Sequence, residues 1–161
     1  MARLTQNPNQ FGQTAQLGQL TRDRQPYTLP VRITSASTAT NITNGSALIA
    51  YGTTDNGEVL VDVSTGPTSG PIVGVIEYSP QKNTYAAGDR CNMAGVGNVI
   101  FLESGAAITA WTNVSTTAGT SSADPVVATD STGGHYITGV ALTGATAAQQ
   151  LVAVRIQPLS L

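Results

Sequence analysis

The stretch Asp55-Asn56-Gly57-Glu58-Val59-Leu60-Val61-Asp62-Val63 decides the fold class. Glu58–Val63 alternates with period two, the pattern of a strand that shows one face to a core and the other to water. Asn56-Gly57 ahead of it is a strong hairpin signal, because both residues tolerate positive φ. Working outward, Ser46–Tyr51 follows an Asn44-Gly45 turn and supplies the preceding strand. Tyr27–Thr34 is β-rich, but Pro30 removes a ladder donor, so it is expected as an edge or entry strand; on an edge its backbone can pair with another chain. Downstream, Ile72–Tyr78, Arg90–Met93, Val96–Leu102, Ala107–Val114, Val126–Thr129, Tyr136–Leu142 and Leu151–Ile156 have the same character. Nine or ten short strands with Gly, Pro, Ser or Asn between them predict an all-β, compact antiparallel β-sandwich or small barrel. A short helical turn is expected only at Thr143–Gln150, and residues 115–125 are read as an exposed polar loop.

A weak internal repeat runs through this pattern. Ile72-Val73-Gly74-Val75-Ile76 is echoed 65 residues later by Ile137-Thr138-Gly139-Val140-Ala141. Each is followed by a polar or Ala-rich loop and then an alternating strand, Arg90–Met93 and Leu151–Arg155. Glycine within a strand marks a bulge or a close backbone approach, so the repeated device suggests two related β-halves.

Residues 1–26 differ from the rest. Gln recurs at 6, 10, 13, 16, 19 and 25, and the large apolar residues are few: Leu4, Phe11, Leu17 and Leu20. The segment is read as an N-terminal arm, 1–26, ahead of a β-domain, 27–161. Extended, it would reach roughly 85–95 Å, enough to lie across a neighbouring subunit. It is too polar to contain a signal peptide. No run approaches the roughly 18 apolar residues of a membrane helix, and no membrane partner is expected. The protein is expected to be made in a cytoplasm and to remain soluble there.

Of the 161 residues, 40% are hydrophobic, enough for a real core, whereas only 10% are charged against the roughly 25% usual in soluble domains. Small uncharged polar groups desolvate cheaply, which suits a surface buried in an assembly. Residues 1–32 hold four arginines against Asp23, and the remainder holds Lys82, Arg90 and Arg155 against eight acids. No Lys/Arg run could neutralise several phosphates, so nucleic acid is not an expected partner.

Candidate chemistry is sparse. His135 is the only imidazole and Cys91 the only thiol, so an intrachain disulfide and a zinc or iron–sulfur set lack residues. Cys91 pairing with His135 as a thiol nucleophile is weighed against the simpler reading of Cys91 as a small buried hydrophobe. Asp55-Asn56-Gly57-Glu58 resembles a fragment of a calcium loop, but a hairpin turn needs no metal. Trp111 is placed on a strand face with Thr109 and Asn113, at a subunit contact, partly buried, or serving as a ligand platform. The Asn-x-Ser/Thr matches at Asn41, Asn44 and Asn113 are expected by chance. No enzyme activity, catalytic residue, cofactor or metal is expected.

The order of these segments resembles the capsid decoration (cement) proteins of tailed bacteriophages. The resemblance lies in Gly70–Ile76, then Tyr85-Ala86-Ala87-Gly88-Asp89-Arg90-Cys91-Asn92-Met93, Gly97–Phe101, Ala106–Ala110, and Ile137–Leu142 leading to Leu151–Ile156. It covers about residues 45–156. It implies an all-β protein, often a homotrimer, on the outer surface of the virion, bound to the major capsid protein and holding the expanded head. Such proteins carry no catalytic residues to transfer. The long Gln-rich arm and the Pro30 strand depart from the pattern. The alternatives are another phage structural subunit, tail or coat, or a receptor- or carbohydrate-binding β-module.

Overall fold

The computed structural model describes residues 28–53, 57–117 and 126–160. The arm expected at 1–26, Asp55-Asn56 and the segment 118–125 lie outside the described residues. The strands are β1 (Thr28–Ile33), β2 (Ile42–Thr43), β3 (Ala47–Thr53), β4 (Val59–Val63), β5 (Ile72–Ile76), β6 (Thr84–Tyr85), β7 (Arg90–Gly95), β8 (Val99–Ser104), β9 (Asn113–Thr116), β10 (Val126–Thr129), β11 (Tyr136–Ala141) and β12 (Leu151–Ser160). No helix occurs among the described residues, and the fold is all-β.

Ten of these strands form two closed five-stranded barrels, ordered β1-β4-β3-β5-β7 and β8-β10-β9-β11-β12, and β2 and β6 form a two-stranded ribbon. The second barrel repeats the connectivity of the first, strand for strand. In each, the first and third barrel strands in chain order run parallel, β1 with β4 and β8 with β10, and the other neighbours are antiparallel. Backbone hydrogen bonds recur at matching places. Gly45 N–H donates to Ile76 O (2.9 Å) as Trp111 N–H does to Ala141 O (2.6 Å), and Gly88 N–H to Ile33 O (3.0 Å) as Gln149 N–H does to Ser104 O (2.7 Å). The β2–β6 ribbon, with Ile42 opposite Tyr85, has its counterpart in a bridge between Ile108 and Ala145. The echo in the sequence therefore joins equivalent strands, β5 with β11 and β7 with β12.

Gly74 and Gly139 sit at the same point of that repeat, and their role is the same. A Cβ on Gly74 would collide with Met93 and the Ala94 carbonyl on β7, and one on Gly139 with the Arg155 carbonyl on β12. Bare backbone lets a five-stranded barrel, which has little interior room, close.

Each barrel has its own core. The first is filled by Val31, Ile33, Leu48, Val61, Ile76, Cys91 and Met93, with Ile42 from the ribbon. The second is filled by Ile100, Leu102, Val114, Val127, Val154 and Ile156, with Ile108 and Ala145. Full burial of one such Val, Leu or Ile side chain contributes about 1.5–3 kcal/mol. Val75 and Ala94, on the outer faces of β5 and β7, belong to the second core, so the first barrel lies against the second. Ser64 Oγ meets Thr116 Oγ1 at 3.3 Å, and Tyr136 N–H donates to Pro67 O at 2.7 Å across the same junction.

Four expectations are corrected. β1 is not an edge strand: it bonds to β7 along its length and to β4 at Arg32 and Ile33. Pro30 is tolerated because the β4 ladder begins only after it. Residues 107–112 are not a strand, because Ile108 turns inward to the barrel end and Trp111 adopts a left-handed φ of 67°. Thr143–Gln150 makes no helical turn, since Ala145 is held by Ile108 and the Gln150 side chain accepts from Thr146 N–H (2.7 Å). Ser115 and Thr116 are buried in β9 rather than exposed in a loop.

Candidate functional site

Among the described residues, polar chemistry gathers at three places. The first is the loop between β10 and β11. Asp130, its side chain 8% exposed, accepts from Ser115 Oγ (2.5 Å) through Oδ2, and from Thr132 N–H (2.9 Å) through Oδ1. His135 Nδ1 stands 2.7 Å from the same Oδ2, so that nitrogen carries a proton. Burial works to raise the Asp130 pKa, but hydrogen bonds from Ser115, Thr132 and His135 outweigh it and bring it down to about 2. The carboxylate lies between hydroxyl and imidazole. In a hydrolytic triad the imidazole lies between the other two, so Ser115 here has the weakly basic Asp130 carboxylate, not an imidazole, on its proton. The cluster ties β9 to the β10–β11 loop. No sequence motif links Ser115 or Asp130 to His135, and only the fold brings them together.

Cys91 is in the first barrel's core, and the fold does not bring it to His135. Burial, then the Asp89 charge, pushes its thiol up to about 12, which removes the thiolate character a nucleophile needs.

The second place is a shallow recess of about 270 Å³ beside β5 and β7, lined among others by Glu77, Tyr78, Lys82, Tyr85, Arg90 and Asn92. Lys82 pairs with Asp89 at 2.7 Å and lies 5.1 Å above the Tyr85 ring. The hydrogen bond from Lys82, aided by Ala86 N–H, lowers the Asp89 pKa. Arg90 pairs with Glu58, which also faces Arg32 at 3.6 Å. Both cations in the recess are thus partnered by acids. Glu77 has its pKa raised by burial. Glu58, one of the two carboxylates in the candidate calcium loop, is committed to arginines. No group of three or more His, Cys, Asp or Glu that could hold a metal occurs among the described residues.

The third place is Trp111. It occupies a turn between β8 and β9 and is 71% exposed. Its counterpart in the first barrel is Gly45, with φ 89°. A side chain in that conformation costs roughly 1–2 kcal/mol, which glycine avoids. Neighbouring geometry fixes the turn: Thr112 Oγ1 donates to Thr109 O at 2.7 Å, and Trp111 N–H to Ala141 O. Of the three sequon asparagines, Asn44 is buried and accepts from Tyr85 Oη (3.2 Å), while Asn113 begins β9.

Fold and surface together define a tandem β-barrel protein with an exposed tryptophan turn. No protein-family model matches the chain, and no curated protein matches it.

Proposed function

We propose that the protein is a structural component of a tailed-phage virion, a decoration protein. In this reading it binds the outside of the major capsid protein shell as a homotrimer and stabilises the expanded head. The observation that carries this is Trp111, a bulky apolar ring held 71% exposed at a backbone position where glycine would be less strained. Tryptophan is over-represented among the residues that dominate protein–protein binding energy. The 10% charge content and the family-like order of segments support the same reading. A trimer that engages several shell subunits converts modest single contacts into strong attachment, because later contacts are effectively intramolecular. Binding the expanded lattice in preference to the broken one then raises its stability by mass action.

The recess lined by Tyr78, Tyr85, Glu77 and Asn92 favours a second reading, a carbohydrate- or receptor-binding module. Heating separates the two. Expanded heads with and without added protein are warmed at low and high ionic strength, and the temperature of DNA release is recorded. Decoration raises that temperature in both, since neutral contacts depend weakly on salt. Trp111→Gly folds at least as stably as the parent but gives a smaller rise. If added protein changes nothing, or moderate salt strips it off, the decoration reading fails and the module reading replaces it.

A further inference from the structure

The two barrels are equivalent in connectivity but not in what covers them. At the end of the second barrel nearest the first, Ile100 and Thr138 are fully buried and Thr116 is 4% exposed. The first barrel makes that cover, through Val75, Ala94 and Ser64. The matching residues of the first barrel are found from register. Leu29 pairs with Met93 as Ile100 does with Val154, and Val73 precedes Gly74 as Thr138 precedes Gly139. Ala50 likewise matches Thr116. Leu29 and Val73 are only partly buried, Ala50 is exposed, and Tyr51 beyond it is 53% exposed. The uncovered end is thus more apolar than the covered one: it has Val, Ala and Tyr where the second barrel has Thr138, Thr116 and Thr117. Apolar side chains at a position that the repeat buries elsewhere mark a surface built to be covered.

We infer that this end of the first barrel, around Leu29 and Val73, is the docking surface for the chain's own residues preceding Thr28. Two observations select that occupant. In the second barrel the cover comes from polypeptide N-terminal to the barrel's first strand, β8, between Ser64 and Ala94. The first barrel's first strand, β1, is preceded by 27 residues, and they join it at Thr28, beside Leu29 at the uncovered end. The preceding segment carries Leu4, Phe11, Leu17 and Leu20, and the pair Leu17 and Leu20 supplies the apolar contact. This inference stands whether or not the protein decorates a capsid.

The test uses the full chain. A nitroxide is attached at Ala15→Cys, with Cys91 left in place because it is buried, and the methyl signals of Leu29, Val73 and Leu102 are recorded by NMR. Leu29 and Val73 lose most of their intensity and Leu102, inside the second barrel, keeps its own. Adding Leu17→Ser and Leu20→Ser restores Leu29 and Val73. A second sample mixes spin-labelled, unenriched chains with methyl-enriched, unlabelled ones, and its Leu29 and Val73 signals stay intact. Undiminished Leu29 and Val73 signals in the first sample overturn the inference. Loss in the mixed sample also overturns it, and assigns the surface to a second copy.

Discussion

Asp130 shows how one residue can anchor a loop without doing chemistry. Its folded pKa, about 2, lies below the roughly 3.9 of an unfolded aspartate. A depressed carboxyl stabilises the fold above the unfolded pKa, and that contribution disappears as pH falls through the folded one. With the side chain only 8% exposed, the contribution at neutral pH is about 2 kcal/mol. Asp130→Asn is therefore expected to lose about 1–2 kcal/mol in urea unfolding near pH 7. The difference from the parent should shrink between about pH 4 and about pH 2. A deficit that stays constant across that window would assign the loss to packing rather than charge. None of this could be read in the sequence, where His135 stands five residues from Asp130 and twenty from Ser115 with no motif to join them. Cys91, by contrast, was legible, because alternation in Arg90–Met93 points it to the core.

At the scale of the strand, period-two alternation and turn glycines located β3, β4, β5, β7, β10 and β11 to within a few residues. Where the reading failed, a tertiary contact had overruled the pattern. Ala107–Val114 alternates well, yet Ile108 is needed at the barrel end and the chain reverses at Trp111 before β9 begins. The two-residue strands β2 and β6 are too short to carry any period at all. The glycine echo carried more than it first showed, since it marks equivalent strands of two barrels. It also ranks two substitutions. A methyl at Gly139 meets the Arg155 carbonyl, which is backbone, whereas at Gly74 part of the collision is with the flexible Met93 side chain. Both alanine variants are expected to destabilise, Gly74→Ala by about 1–3 kcal/mol and Gly139→Ala by more. Thermal melts that place Gly139→Ala above Gly74→Ala would contradict the close-approach account.

For the whole molecule, the junction between barrels decides cooperativity. Val75 and Ala94 complete the second core, and Ser64 and Pro67 bond across to Thr116 and Tyr136. Unfolding in urea is therefore expected as one transition, coincident by far-UV dichroism and by Trp111 fluorescence. Val75→Asp, which sets a charge in the shared core, should separate the two probes, Trp111 reporting the earlier loss of the second barrel. Superimposable curves for that variant would mean the second barrel stands without its neighbour. The division into two barrels was only half legible in the sequence. The repeat announced two halves, but closure depends on the pairing of β1 with β4 and of β8 with β10, which no local pattern encodes.

Those two halves are also consecutive in the chain, and this sets an order of events at the ribosome. Every strand of the first barrel is synthesised by Gly95, before Val99 opens the second. Domains fold as units and N-terminal ones first during synthesis, so the earlier barrel can close while the later one is still being translated. Its β5–β7 flank then waits as a finished template on which the later strands assemble. For that interval Val75 and Ala94 face water, and a pause in translation after β7 has left the ribosome but before the second barrel's strands follow would leave nascent chains most prone to stick to one another.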